Sequence, residues 1–158
     1  LDVFAVYGWL PNNFKWLMKK ELRKIPFVGT ACAVAGHIFV DRSNPRAAME
    51  SLTYIKAQLH DGISTVIFPE GTRTKTGEMG RFKAGAFKIA MDMGLPVVPI
   101  TLKGFYEAMP RGKAFANPRS RVSLHIGKPI DISQFNDINE AMAAVREKVA
   151  EGLSKPLS

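Results

Sequence analysis

Residues 65–73 read Thr-Val-Ile-Phe-Pro-Glu-Gly-Thr-Arg and form the most informative segment of the chain. The segment begins with a continuous apolar run, which is typical of a strand covered on both faces in a parallel sheet. Gly71 permits a tight turn soon after this strand, so Thr72 and Arg73 are expected to face outward. The segment therefore predicts a buried strand that delivers polar side chains to a loop at its carboxyl end.

Two other predicted strands also run into basic side chains. The strand over residues 37–41 is followed by Arg42, and the strand over residues 97–102 is followed by Lys103. Ligands of open parallel sheets gather outside the carboxyl ends of the strands. If these strands are parallel, Arg42, Arg73 and Lys103 share one edge, where two guanidinium groups would clamp a phosphate or a carboxylate. Taken singly, either arginine could equally be a solvated surface residue.

Helical segments alternate with these strands. Asn44 and Asp137 are suitable N-cap residues, Asp137 with Glu140 forms a capping-box pattern, and Gly94 is a suitable helix end. The predicted helices span residues 2–10, 44–62, 84–93 and 137–149, and a further half-buried strand spans residues 122–126. This alternation predicts an α/β fold with a mostly parallel sheet flanked by helices, in a single domain over residues 1–158.

Composition and charge indicate which kinds of partner and binding site the chain can have. The chain has 158 residues, 46% of them apolar, and a net charge of +8, which favours an anionic partner. Cys32 is the single cysteine, so an internal disulfide and a cysteine-based zinc site are excluded. The segment 71–77 lacks the residue order of a phosphate-binding P-loop, and no dinucleotide fingerprint is present. Since no nucleic-acid-binding motif accompanies the charge, we expect no nucleic-acid partner.

Aromatic residues alternate with lysines near the start of the chain. Trp9 and Trp16 lie close to Lys15, Lys19 and Lys20. This pattern is typical of an anchor on an anionic membrane, with aromatic rings at headgroup depth and lysines on phosphates. The same pattern is equally compatible with the edge of a hydrophobic core that has a solvated face.

Three ordered blocks carry a resemblance to a known family. They are Gly-His-Ile-Phe-Val-Asp-Arg at 36–42, Phe-Pro-Glu-Gly-Thr-Arg at 68–73 and Val-Pro-Ile at 98–100. In order and spacing they resemble the glycerolipid acyltransferases, specifically the 1-acylglycerol-3-phosphate acyltransferases, from Asp2 to about Ile130. The resemblance implies the fold of that family and a site built from the matching positions.

The resemblance also implies roles for individual residues. Arg73 and Arg42 match the family's phosphate-binding arginines, and Lys20 or its neighbour Lys19 matches a lysine that contributes to binding the acceptor phosphate. Glu70 matches the glutamate of the Glu-Gly-Thr-Arg block, where it is either a chemical participant or a structural partner. The turn around Gly71 and Thr72 is a source of backbone donors for the oxyanion. Neither a metal nor a cofactor is implied.

The first family block, Asn-His-x-x-x-x-Asp, is matched only in part. Asp2 fits its aspartate, which orients the general-base histidine, although position alone would also fit a helix-cap carboxylate. That histidine falls five residues before Asp2, so we expect the chain to be a fragment whose N-terminal part is missing. His37, His60 and His125 are expected to have ordinary structural or surface roles instead.

The function implied is acyl transfer from acyl-CoA or acyl carrier protein to the free hydroxyl of 1-acyl-glycerol-3-phosphate, which gives phosphatidic acid. Its partners would be the lysophospholipid acceptor, the acyl donor and an anionic membrane surface. The enzyme would be membrane-associated, with its active site on the cytoplasmic side. Two alternatives remain open: an acyltransferase acting on glycerol 3-phosphate or another lysolipid, and a non-catalytic membrane-surface module.

Overall fold

In the computed structural model the chain divides into two compact units. One, the terminal unit, comprises Leu1–Pro11 and Pro69–Ser158, and the other, the middle unit, comprises Asn12–Phe68. The structure describes residues 2–10, 13–40, 54–55, 57, 59, 63–72, 74, 76–109, 117 and 119–157. Most of the predicted helix over residues 44–62 lies outside these ranges, but its residue Ile55 is described and fully buried.

The middle unit contains a three-stranded parallel sheet. Its strands are β1 (Phe14–Lys19), β2 (Ile38–Val40) and β3 (Ser64–Val66), and β1 lies between the other two. Leu17 pairs with Ile38, and Phe14 pairs with Ser64. The α/β class with parallel strands is therefore confirmed in this unit.

Trp16 belongs to the core of the middle unit. Its side chain is only 2% exposed, its ring stacks on Phe68 at 5.4 Å, and it meets Phe14 edge to face at 5.7 Å. Of the two alternatives left open for this segment, Trp16 follows the core and not the membrane anchor. Alternate residues of a strand point to opposite faces, and Trp16 lies on the buried face. Trp9, in the terminal unit, is 54% exposed.

A short helical segment follows β1 and leads into a strained turn. Lys20–Lys24 form a 3-10 helix, and helix α2 spans Val28–Val34. Between them the amide of Val28 donates to the carbonyl of Pro26 at 2.7 Å, which closes a γ-turn around Phe27 at φ 62° and ψ −49°. Such a conformation costs a residue with a side chain on the order of 1–3 kcal/mol.

The terminal unit combines helices with a two-stranded sheet. Strand β4 (Ile100–Lys103) pairs antiparallel with β5 (Ser123–Ile126), with Ile100 opposite Ile126. Lys103 is therefore on an antiparallel ribbon and not on the parallel sheet, and its ammonium donates to the carbonyl of Lys155. The prediction that Lys103 follows a parallel strand is wrong.

The helices of this unit are α1 (Asp2–Trp9), α3 (Gly85–Met93), α4 (Phe105–Ala108) and α5 (Ile138–Ser154).

Helix α5 organises the core of the terminal unit. Its predicted cap is confirmed, because Oδ1 of Asp137 accepts from the amides of Asn139 and Glu140 at 2.6 and 3.0 Å. Glu140 reaches back to the amide of Asn136 at 3.1 Å. Gly152 lets α5 approach β4 closely, since a Cβ at this position would lie 2.3 Å from the hydroxyl of Thr101. Helix α5 is thereby fixed at its start and near its end.

Candidate active site

The Glu-Gly-Thr-Arg block lies on a loop whose two ends are tied together. We call residues 69–83 the anchored loop. The amide of Lys83 donates to the carbonyl of Pro69 at 2.9 Å, and the amide of Gly80 donates to Oε2 of Glu70 at 3.0 Å. These two hydrogen bonds close the loop at its base.

Phe82 attaches the second half of the anchored loop to the core of the terminal unit. Phe82 is buried, its ring stacks on Phe87 of α3 at 6.2 Å, and both rings pack with Val145 of α5. The loop makes a further contact with α5, where Arg146 donates to the carbonyl of Met79 at 3.4 Å. Core packing therefore holds the second half of the loop in place.

The first half of the loop contains the Glu-Gly-Thr-Arg block. Gly71 adopts φ 71°, the left-handed conformation that a tight turn requires and that glycine adopts without steric cost. Thr72 is exposed, as predicted, and Arg73 lies outside the described residues. Further along, Oγ1 of Thr74 accepts from the amides of Thr76 and Gly77 at 3.2 and 3.1 Å. Side-chain to backbone bonds thus stabilise the loop from within.

Glu70 has a structural partner in the anchored loop. Its carboxylate faces the backbone amide of Gly80, and a charge-assisted bond of this kind is stronger than a neutral one. Glu70 therefore joins the first half of the loop to the second, which is a positioning role. Its direct participation in chemistry stays a prediction.

The remaining predicted site residues are distributed over both units. Asp2 begins helix α1 in the terminal unit, and Lys20 begins the exposed 3-10 helix of the middle unit. Arg42 lies outside the described residues. Within the described part of the chain, the structure thus brings together Glu70, Gly71 and Thr72 on one loop.

Two of the three histidines have described contacts of a structural kind. His37 precedes β2, and its Nδ1 accepts a hydrogen bond from the amide of Trp16 at 3.3 Å. Burial, and then the positive charge of Lys15, lower the pKa of His37 below its ordinary value. His125 on β5 contacts the ammonium of Lys155 at 2.7 Å. These contacts agree with the ordinary roles expected of both residues, and His60 lies outside the described residues.

Sequence reasoning missed two members of the anchored loop. Gly80 supplies the amide that Glu70 binds, and no local pattern pairs two residues so far apart. Phe82 had a detectable signal, because it is the only aromatic residue in the polar stretch 71–83. An isolated aromatic in such a stretch is typical of a loop anchored to a core.

The described residues lack two kinds of feature. No group of three or more histidine, cysteine, aspartate or glutamate side chains among them is arranged to hold a metal ion. No helix formed by these residues is long and apolar enough to cross a bilayer.

Comparison with known proteins places this site in a family. The family model described as Acyltransferase matches residues 1–103, and the chain belongs to this acyltransferase family. The Glu-Gly-Thr-Arg block and the parallel sheet lie within the matched residues. The resemblance seen in the sequence is thereby confirmed.

Individual relatives agree with this assignment. The chain is 37% identical over 154 residues to a chloroplastic 1-acyl-sn-glycerol-3-phosphate acyltransferase of Arabidopsis thaliana, covering 97% of this chain and 42% of the relative. It is 40% identical over 103 residues to a 1-acyl-sn-glycerol-3-phosphate acyltransferase of Helicobacter pylori, covering 65% of this chain and 44% of the relative. The chain thus spans less than half the length of these relatives.

A solved structure shares the fold. The crystal structure of the 1-acyl-sn-glycerophosphate (LPA) acyltransferase of Thermotoga maritima superimposes with a TM-score of 0.82 at 30% sequence identity. The match covers 96% of this chain and 59% of that structure. The α/β fold expected from the sequence is therefore that of a known acyltransferase.

Proposed function

We propose that the chain forms the acyltransferase domain of an enzyme that acylates 1-acyl-glycerol-3-phosphate to give phosphatidic acid. The donor is a fatty acyl thioester, either acyl-CoA or acyl carrier protein. One observation carries the proposal: the Glu-Gly-Thr-Arg block lies on a loop tied at its base and anchored in the core, within a chain that belongs to the acyltransferase family. The relatives named for this reaction support the choice of acceptor.

The loop provides the part of the site that binds the acceptor phosphate. We assign Arg73 and Arg42, with Lys20, to this phosphate, because guanidinium groups bind phosphate oxygens in a forked geometry. An arginine carried by a tied loop loses less conformational freedom on binding, so more of the phosphate's binding energy remains to position the free hydroxyl. The +8 charge of the chain favours the same anionic acceptor.

The chemical step needs a base, an orienting carboxylate and donors for an oxyanion. A histidine base takes the proton of the acceptor hydroxyl as its oxygen attacks the thioester carbon, and Asp2 orients that histidine. Backbone amides near Gly71 and Thr72 stabilise the oxyanion of the tetrahedral intermediate. The carbon–sulfur bond then breaks, the new ester bond remains, and the thiol leaves with the proton. We assign no metal and no cofactor to this reaction.

We further propose that the enzyme works at an anionic membrane surface, with the site on the cytoplasmic side. The acceptor and the product are amphiphiles that reside in membranes, and a basic chain is attracted to anionic lipid. The single cysteine fits a reducing compartment, since it forms no internal disulfide. No nucleic-acid partner is proposed.

The test is thiol release from acyl-CoA with a panel of acceptors. The protein is expressed at full length, as its gene encodes it. We expect release with 1-acyl-glycerol-3-phosphate, and much weaker release with glycerol 3-phosphate or with a lysolipid bearing another headgroup. Equal release with every acceptor, or none with any, would contradict the proposed function.

A further inference from the structure

Helix α2 is mostly apolar, with Thr30 as its polar side chain, and yet it is exposed. Its seven residues, Val-Gly-Thr-Ala-Cys-Ala-Val, include no charged side chain. A helix that is apolar all round is ordinarily buried in a core or in lipid. Among these residues only Gly29 is buried and Cys32 half-buried, and Val34 at the end of the helix is 84% exposed.

The turn that leads into α2 extends this apolar surface. Phe27 holds the strained γ-turn described above, and its side chain is 90% exposed. Ile25 and Val28 on either side are each close to half exposed. Exposed apolar patches mark sites that contact a protein, a ligand or a membrane. We call residues 25–34 the apolar ledge.

A basic segment directly precedes the apolar ledge. Residues 19–24 read Lys-Lys-Glu-Leu-Arg-Lys, and all six are exposed. This segment contains four basic residues and one acidic residue, whereas the apolar ledge contains no charged residue. Each lysine or arginine near an anionic lipid surface adds to binding, and an adjoining apolar segment inserts among the acyl chains.

We infer that the apolar ledge and the basic segment dock this chain onto an anionic lipid surface, with Phe27 and Val34 inserted and Lys24 on the headgroup phosphates. Charge complementarity selects lipid as the occupant, because the positive charge lies beside the apolar patch in the pattern of an interfacial anchor. The inference deepens the proposed function and rests on it for the presence of a lipid substrate at that surface.

The first test is cosedimentation of this chain with vesicles. Phosphatidylcholine mixed with phosphatidylglycerol should bind the chain, and pure phosphatidylcholine should bind it weakly. Added salt should weaken binding, because it shortens the screening length and so reduces the attraction between basic side chains and headgroup phosphates. Phe27→Asn combined with Val34→Ser should lower the partition coefficient at least about ten-fold. Lys24→Glu should lower it at least about five-fold.

Two control variants test whether losing any exposed apolar side chain, or reversing any exposed charge, is enough to weaken vesicle binding. Leu157→Ser removes an exposed apolar side chain, and Lys88→Glu reverses an exposed charge, both in the terminal unit. Neither should change vesicle binding by as much as two-fold, and circular dichroism should show that every variant is folded. These controls separate the ledge from the general effect of the +8 charge.

Depth of insertion separates lipid from a protein partner. In a Cys32→Ala background, a fluorophore attached at Val34→Cys should be quenched by lipids brominated on their acyl chains, and one at Leu157→Cys should not. Vesicle binding that persists in the Phe27, Val34 variant would overturn the inference, as would absence of quenching. A third result would also overturn the inference: the parent chain does not bind vesicles but forms a dimer, and the Phe27, Val34 variant is monomeric. That result would identify a second copy of the chain as the partner of the ledge.

Failure of the inference and failure of the proposed function give different results. Vesicle binding and quenching require no turnover, so they can succeed in a protein that releases no thiol. Conversely, the Phe27, Val34 variant can acylate a monomeric short-chain acceptor at the normal rate and still bind vesicles as tightly as the parent. That result would support the proposed function and show that the chain docks by another surface.

Discussion

The carboxylate of Glu70 binds the backbone amide of Gly80 at 3.0 Å, and this bond joins the two halves of the loop that carries the Glu-Gly-Thr-Arg block. The loop has a second tie between Pro69 and Lys83 and a core anchor in Phe82. Glu70 therefore links the start of the block, where Gly71 makes its turn, to the second half of the loop. Under the proposed function, we expect its side chain to affect acceptor binding through the geometry of the loop.

Substitution of Glu70 separates positioning from proton transfer. Glu70→Ala removes the tie, so we expect a loss of about 1–2 kcal/mol in the free energy of unfolding and a raised KM for the acceptor. Glu70→Gln keeps a carbonyl oxygen that can accept from Gly80, so it should recover most of both losses. Denaturant unfolding and acceptor titrations measure the two effects. If Glu70→Gln is as defective in kcat as Glu70→Ala, the carboxyl group takes part in the chemistry.

The partner of Glu70 provides an independent test. A Cβ at Gly80 would lie 2.8 Å from Oε2 of Glu70, so Gly80→Ala should displace the carboxylate from the amide. The displaced group is the end of a flexible side chain, so no backbone clash is added, and the loss of stability should not exceed that of Glu70→Ala. We expect the acceptor KM to rise as in Glu70→Ala, with the donor KM unchanged. An unchanged acceptor KM would show that the tie is dispensable.

A cap variant controls for stability alone. Asp137 accepts from two amides at the start of α5, so Asp137→Ala should cost about 1 kcal/mol in the free energy of unfolding. Because Asp137 lies outside the anchored loop, we expect no change in the acceptor KM at a temperature where the protein stays folded. A KM rise equal to that of Glu70→Ala would mean that general destabilisation explains both.

The environment of His37 predicts how stability depends on pH. Burial and Lys15 lower the pKa of His37 in the folded protein, so the unfolded chain binds a proton at a pH where the folded chain does not. The stabilising contribution is therefore fully present above pH 6.5, the ordinary pKa, and is lost as the pH falls through the lowered value. We expect the thermal midpoint to fall on acidification.

The substitution His37→Asn tests whether His37 causes this pH dependence of stability. Its side-chain oxygen can replace Nδ1 as the acceptor for the amide of Trp16, but it does not titrate. Differential scanning calorimetry from neutral to acidic pH should show a shallower decline for His37→Asn than for the parent chain. Parallel declines would assign the pH dependence to other groups.

Local signals in the sequence predicted much of the fold. Asp137 with Glu140 marked the start of α5, Gly94 marked the end of α3, and Gly71 marked the turn of the block, because each position has its own backbone requirement. The direction of β4 relative to β5 was not predictable in this way, since pairing depends on contacts between distant segments. That is why Lys103 was assigned to the wrong kind of sheet.

The same limit applies to the site. The residue types of the block pointed to phosphate binding, but nothing local shows that Glu70 would select the amide of Gly80. Trp16 was ambiguous for a related reason: its burial depends on Phe68, which reaches it only in the folded sheet. Pattern reasoning selected the candidate residues, and the structure supplied the contacts of Glu70 and Trp16.

The central claim is that the anchored loop presents Arg73 to the phosphate of the acceptor. The most direct measurement compares acyl transfer to 1-acyl-glycerol-3-phosphate and to monoacylglycerol, which lacks the phosphate, in the parent enzyme and in Arg73→Ala. Loss of a charge-assisted contact predicts a fall in kcat/KM of about 30- to 900-fold with the phosphorylated acceptor, and little change with monoacylglycerol. An equal fall with both acceptors, or none with either, would contradict the claim.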